Sequence, residues 1–246
     1  MKERSDAHIG KMFAVDLRRM LTQKIFYIMI ACSFVLPILI IVMTSMAGEG
    51  EMFTSAWQAI GSAGSAMSMD LTTMCNINMI FFLAAVFACL FTADDFRSGA
   101  CKNIFAVRAK KKDYVFSKIA VSFICGAFML LFFFAGSMLA GRIAGLSFAM
   151  EGFSVWNLLI CMISKILLMA IFAAIYVLMS VIAKRHSWMS ILLSFMVGMF
   201  MFMVIPMMTP LDAGLMNLVM CLAGAVIFTL ALGKASQIVL ERSDIL

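Results

Sequence analysis

Charged residues are scarce in this chain of 246 residues, where 19 basic and 13 acidic side chains make up 13% of the total. The two histidines and seven cysteines are scattered, and no Cys-x-x-Cys pair occurs. This scatter argues against a metal site or a disulfide framework, because both need clustered or paired side chains. No Gly-x-x-x-x-Gly-Lys-Ser/Thr sequence occurs either, so the chain lacks the phosphate-binding loop of many nucleotide hydrolases.

The long apolar runs also lack paired carboxylates and lack a histidine beside an acid. Acid–base catalysis within a membrane needs groups of that kind. We therefore predict that the chain is not an enzyme and binds no metal or cofactor itself. An ion path usually carries several ionisable groups, and these runs contain one, Lys165.

Apolar residues are abundant instead, at 64% of the chain. A helix needs about 20 apolar residues to cross roughly 30 Å of hydrocarbon. We predict an all-α polytopic membrane protein, a single transmembrane domain over 1–246, with Pro206 kinking the fifth span. Gly136, Gly141 and Gly145 are expected to permit close helix approach. The six predicted spans are 25–46, 71–93, 119–141, 155–183, 187–209 and 213–233.

Basic residues are distributed unevenly among the connections between the spans. Seventeen of the 19 lie before the first span, between the second and third spans, between the fourth and fifth spans, or after the sixth span. Cytoplasmic segments carry such an excess of Lys and Arg, so both termini are predicted to be cytoplasmic. The net charge of +6 then reflects topology and contact with anionic lipid headgroups, and nucleic-acid binding is not expected.

Residues 8–24 show an imperfect amphipathic pattern. Apolar residues recur every three or four positions, while Asp16 falls on the apolar arc. We predict a helix lying along the cytoplasmic interface before the first span. A helical extension of the first span into water is the alternative.

The connection at 94–118 is basic and amphipathic, and it has room for one short helix. Such a segment suits docking into a protein groove or lying on headgroups. In order, its pattern is an acidic residue, an aromatic residue, Arg, any residue, Gly, any two residues and then Lys-Asn. A Ser-Lys pair follows, immediately before the third span. The residues that carry this pattern are Asp95, Phe96, Arg97, Gly99, Lys102, Asn103, Ser117 and Lys118.

This pattern resembles that of the permease subunits of ATP-binding-cassette exporters of the type-2 superfamily. The resemblance implies that 94–118 holds a coupling helix, which sits in a cleft of a separate ATPase subunit that carries ATP and Mg²⁺. The coupling residues would be Asp95, Phe96, Arg97, Gly99, Lys102 and Asn103. A second permease, identical or related, would complete the transporter in a bacterial cytoplasmic membrane. Amphiphilic peptides such as lantibiotics or bacteriocins, and hydrophobic drugs, are the implied cargo.

Other interpretations remain open at this point. Arg97 and Lys102 could instead anchor the loop to phosphate headgroups, without a coupling role. Lys165 could line a translocation path, pair with an acid of a partner permease, or snorkel to the outer interface. An ion-coupled transporter or channel without an ATPase partner is the alternative function.

Overall fold

A computed structural model describes residues 2–46, 53–61, 75–106, 110–184, 186–202 and 204–242. Within these ranges the chain is helical, apart from turns and one isolated bridge between Ser55 and Ser147. The predicted all-α fold is confirmed. In chain order the helices are α1 (Lys2–Thr22), α2 (Lys24–Met46), a 3₁₀ turn (Ala56–Ala59), α3 (Met79–Arg97), α4 (Ala100–Ala106), α5 (Lys111–Ile143), α6 (Val155–Ala183), α7 (Ser187–Phe202), α8 (Val204–Met208) and α9 (Leu215–Arg242).

Five of these helices, α2, α3, α5, α6 and α9, are long and apolar enough to cross a membrane. The predicted fifth span, 187–209, corresponds to α7, which is apolar but has 16 residues, and the five-residue α8. Pro206 lies inside α8, and a proline has no N–H for the helical ladder. With five to six helices able to span, this is a multi-pass membrane protein.

Two helices, α3 and α5, extend past the apolar runs that define the predicted spans, at the end of the bundle where basic residues are concentrated. Helix α3 continues from the predicted limit at 93 to Arg97, and α5 begins at Lys111 although the predicted span began at 119. A charged side chain leaves the backbone hydrogen bonds of a helix intact. A helix can therefore continue through charged residues, provided that those that become buried are paired. The extra turns carry Asp94, Asp95 and Lys118, all of which are paired.

At the other end α3 is shorter than predicted. It begins at Met79, after turns at residues 75–78, and 71–74 lie outside the described residues. The last helix, α9, continues from the predicted limit at 233 to Arg242. Helix α1 ends at Thr22 and α2 begins at Lys24, so the N-terminal segment is a separate helix that packs on α5, not an extension of α2.

Helices α5 and α6 form the centre of the bundle. Both α3 and α9 pack against this pair, α2 covers the far side of α5, and α7 packs on α6 and α3. Aromatic side chains fill the core, and the Tyr176 hydroxyl donates to the Phe81 carbonyl at 2.6 Å, which joins α6 to α3. Gly136 lets α2 approach α5 closely, because an added Cβ would lie 2.3 Å from the Phe34 carbonyl oxygen.

The two ends of the bundle differ in chemistry. One end, called here the charged end, holds α1, α4, the end of α3 and the start of α5. The opposite end is capped by residues 53–61 and 146–153, where the Trp57 indole donates to the Phe148 carbonyl at 3.1 Å and packs on Phe153. Gly145 lies here in an open turn with φ +70°, so the expected close approach at this glycine is wrong.

Candidate functional site

A cluster of charged side chains joins three helices at the charged end. We call it the charged junction, and it consists of Asp16 and Arg19 of α1, Asp94 and Asp95 of α3, and Lys118 of α5. Asp95 and Lys118 are fully buried, and Asp16 is 6% exposed. Buried charges of this kind persist when they are paired and hydrogen-bonded, so their geometry shows whether the junction is complete.

Lys118 is the centre of the charged junction. Its Nζ lies 2.7 Å from Asp95 Oδ2 and 2.8 Å from Asp16 Oδ1. The ammonium also lies 4.2 Å from the centroid of the Phe91 ring, within the range of a cation–π interaction. One side chain of α5 therefore holds α1 and α3 together.

Each acid of the junction has further partners. Arg19 pairs with both Asp94 and Asp95, and the Tyr114 hydroxyl donates to Asp95 Oδ2 at 3.1 Å. The Ser117 hydroxyl donates to Asp16 Oδ2 at 2.6 Å. The position of Asp16 on the apolar arc of α1 is thereby explained, since the arc faces Ser117 and Lys118 of α5.

Helix α4 follows α3 after a tight turn at Gly99, whose φ is +73°. L side chains rarely adopt this left-handed conformation, so glycine suits the turn. The seven-residue helix packs inward through Cys101, whose thiol donates to the Tyr114 hydroxyl at 3.5 Å, and through Phe105, 5.5 Å from the Tyr114 ring. Tyr114 thus connects α4 to Asp95 and to the charged junction.

The predicted coupling residues separate into two groups. Asp95 and Phe96 are buried and fix the end of α3, whereas Arg97 is exposed and Gly99 is partly exposed. Lys102 and Asn103 belong to α4, but their side chains lie outside the described residues. Asp16, Arg19 and Tyr114 were not predicted as site residues. An acid on the apolar arc of an interfacial helix, with a buried lysine elsewhere, is the signal that could have found the pairing.

Cys101 provides a chemical test of how α4 is packed. Burial raises the pKa of the Cys101 thiol to about 11. The thiolate is the nucleophile, so we expect N-ethylmaleimide to label Cys101 slowly at neutral pH. The labelling rate should rise about tenfold for each unit by which the pH is increased, until the pH approaches that pKa. Timed labelling of the folded protein, read by mass spectrometry against a denatured sample, measures this. Rapid labelling of the folded protein at neutral pH would contradict the packing of α4 against Tyr114.

A second buried cation, Lys165, lies near the opposite end of the bundle. It is fully buried in α6, and its Nζ donates to Asn78 Oδ1 and to Thr209 Oγ1, each at 2.9 Å. Asn78 immediately precedes α3, and Thr209 immediately follows α8. Lys165 therefore joins three helices at the level where α3 begins, and its side chain points into protein, so the expected alternative of snorkelling is wrong.

The depth of Lys165 follows from helix geometry. Helix α3 has 19 residues and rises about 28 Å, close to the thickness of a bilayer core. The 18 residues that follow Lys165 in α6 rise about 27 Å. Lys165 thus lies near one boundary of such a slab, and the charged junction lies at the other.

Comparison with known proteins agrees with the sequence pattern. Residues 17–202 match the family described as ABC-2 family transporter protein. The matched segment contains α2 to α7, Lys165 and every residue of the charged junction except Asp16. No curated protein and no solved structure matches the chain.

Proposed function

The chain belongs to the ABC-2 transporter family, and we propose that it is the permease subunit of an exporter driven by ATP hydrolysis on a separate polypeptide. The proposal includes a second permease copy or relative, two ATPase subunits, and an amphiphilic peptide or a hydrophobic small molecule as cargo. The family match supports the transport role. The arrangement of α4 supports the coupling role.

The observation that carries the proposal is the way in which α4 is attached to the ends of α3 and α5. This short helix lies between the end of α3 and the start of α5, and the charged junction binds those two ends to each other and to α1. A coupling element must move rigidly if displacement at its surface is to reach the membrane. If α1 or α3 moved away while Lys118 stayed buried, the ammonium would be left without a counter-ion, so the three helices resist separation.

In this mechanism the charged end faces the cytoplasm, in agreement with the excess of basic residues there. Closure of two ATPase subunits on ATP would displace α4. Tyr114 and Asp95 would pass that displacement to α3 and α5, and Asp16 would carry α1 along with them. Exposed Arg97 would contact the ATPase surface.

We expect the substitutions Arg97→Ala and Gly99→Val to uncouple hydrolysis from transport. The first removes an exposed charge beside α4, and the second strains the turn at Gly99 by about 1–3 kcal/mol. Transport should fall at least tenfold while the complex keeps its ATPase activity. The measurement is the uptake into inside-out vesicles of a dye-labelled amphiphilic peptide or a fluorescent hydrophobic small molecule, whichever the wild-type complex accumulates, alongside hydrolysis by the purified complex.

The chain offers matched controls at the opposite end of the bundle. Gly145 has φ +70° and open space around it, as Gly99 has, and Arg142 is exposed as Arg97 is. Gly145→Val and Arg142→Ala should leave transport and hydrolysis coupled. Wild-type coupling in the Arg97 and Gly99 variants, or hydrolysis of ATP by this chain alone, would refute the proposal.

A further inference from the structure

An elongated cavity of about 460 Å³ lies between α6, α7, α8 and α9. Along α6 it extends from Leu168 to Met179, a rise of roughly 17 Å. Its lining is made of aliphatic, aromatic and sulfur-containing side chains together with Gly224, and no charged side chain of the described residues takes part. Its chemistry suits an alkyl chain, and its volume falls within the range of small-molecule sites.

The cavity lies beside Lys165 at its outer limit, which is the part farther from the charged end of the bundle. Leu168 follows Lys165 by one turn of α6 and lines the cavity, as does Met208, the neighbour of Thr209. Cys221 also lines it. A long apolar space therefore ends beside Lys165, whose ammonium is covered by Asn78 and Thr209 and does not itself line the cavity.

Lys165 differs from Lys118 in what neutralises it. Lys118 has Asp16 and Asp95 within 2.8 Å, whereas Lys165 is held by the neutral side chains of Asn78 and Thr209. Among the residues that the structure describes, no carboxylate lies within salt-bridge distance of Lys165. An ammonium has three protons to donate, and two have acceptors here. A buried cation without a counter-ion is costly, so an anion that reached it would be bound favourably.

We propose that this cavity binds an amphiphile with one alkyl chain and a carboxylate head group, the chain lying along α6 and the carboxylate replacing Thr209 as a partner of Lys165. The inference rests on the proposed transport function, for which it names the class of cargo. One ammonium balances one negative charge, which favours a carboxylate over a phosphate monoester, because the monoester carries nearly two charges at neutral pH. The apolar lining favours an alkyl chain over a polar peptide backbone.

The test uses the full-length chain in lipid nanodiscs and dodecanoate that carries a photoreactive diazirine at the end of its alkyl chain. Mass spectrometry would locate the crosslinks, which we expect at the end of the cavity away from Lys165, on residues such as Phe228 and Leu232. Unlabelled dodecanoate should displace the probe at a concentration at least tenfold lower than dodecanol does, because the alcohol lacks the charge. No ATP or ATPase is present, so failure here leaves the coupling experiment unaffected, and the reverse also holds.

Two variants separate the head-group site from the cavity. Lys165→Met should abolish the preference for dodecanoate over dodecanol while leaving displacement by the alcohol unchanged. Gly224→Leu should reduce crosslinking at least tenfold, because an added Cβ at Gly224 meets only Ile171, at 4.0 Å, and a larger side chain would fill the cavity. Gly214→Leu, at open space beside the start of the same helix, is the matched control.

Each outcome decides the proposal. Equal displacement of the probe by dodecanoate and dodecanol in the wild type would overturn the role of Lys165. Crosslinking that is the same in the Gly224→Leu and Gly214→Leu variants would show adventitious lipid-like binding only and would overturn the cavity site. If Lys165→Met fails to fold, the wild-type preference and the Gly224→Leu result still decide.

Discussion

Replacing Lys118 by methionine is expected to destabilise the protein by about 3–5 kcal/mol and to detach α1 from the bundle. Lys118 pairs with Asp16 and Asp95, and both carboxylates are buried. Removing the ammonium would leave Asp16 with the Ser117 hydroxyl as its described partner, while Asp95 would keep Arg19 and Tyr114. The cost therefore falls chiefly on the contact between α1 and α5. Unfolding in detergent measures the stability, and tryptic cleavage at Arg18 or Arg19 measures the release of α1.

The control for this substitution is Lys112→Met, on the same helix. Lys112 is exposed, and its ammonium lies 5.9 Å from the Phe116 ring centroid, so its loss should cost less than about 1 kcal/mol. Adding Asp16→Asn to Lys118→Met should recover part of the lost stability, because the uncompensated buried charge is removed. If the single Lys118 variant were as stable as wild type and its α1 as resistant to trypsin, the charged junction would not hold these helices.

Replacing Gly136 by alanine is expected to destabilise the contact between α2 and α5 by about 1–3 kcal/mol, and replacement by valine should cost more. An added Cβ would lie 2.3 Å from the Phe34 carbonyl oxygen and 2.9 Å from Pro37 Cγ. The nearest atom belongs to the backbone, so no side-chain rotation relieves the clash and α2 must move. The shift in the thermal unfolding midpoint, monitored by size-exclusion chromatography, gives the size of the loss in stability.

Gly224→Ala is the matched control for Gly136→Ala, since both glycines lie inside long apolar helices. The nearest atom to a Cβ at Gly224 is Ile171 Cδ1 at 4.0 Å, an ordinary contact. Alanine there should be neutral or slightly stabilising, because it favours helix more than glycine does. A Gly136→Ala variant that unfolds at the same temperature as Gly224→Ala would show that α2 and α5 do not cross so closely.

The N-terminal helix shows how far periodicity alone could go. Its apolar spacing predicted a helix at 8–24, and the structure has one at Lys2–Thr22. Asp16 interrupted that pattern, and a hydrophobic periodicity has no means of showing that an acid on the apolar face meets a lysine. Its partner Lys118 lies 102 residues away in the chain.

The single charge within the predicted fourth span shows a similar limit. Hydropathy marked Lys165 as exceptional but left its direction open, because a lysine near the end of a span can reach water along its own stem. The side chain turns inward because Asn78 and Thr209, 87 and 44 residues away, supply acceptors there.

The amino-acid sequence by itself determined the helical class and the membrane environment, since these depend on the summed transfer free energy of consecutive side chains. Its local motif at 95–118 also indicated the transporter family. Tertiary structure alone decided which buried charges meet, how α4 packs on Tyr114, where α2 and α5 touch, and that an apolar cavity lies next to Lys165. Those features depend on distances between residues remote in the chain, and such distances exist once the helices pack.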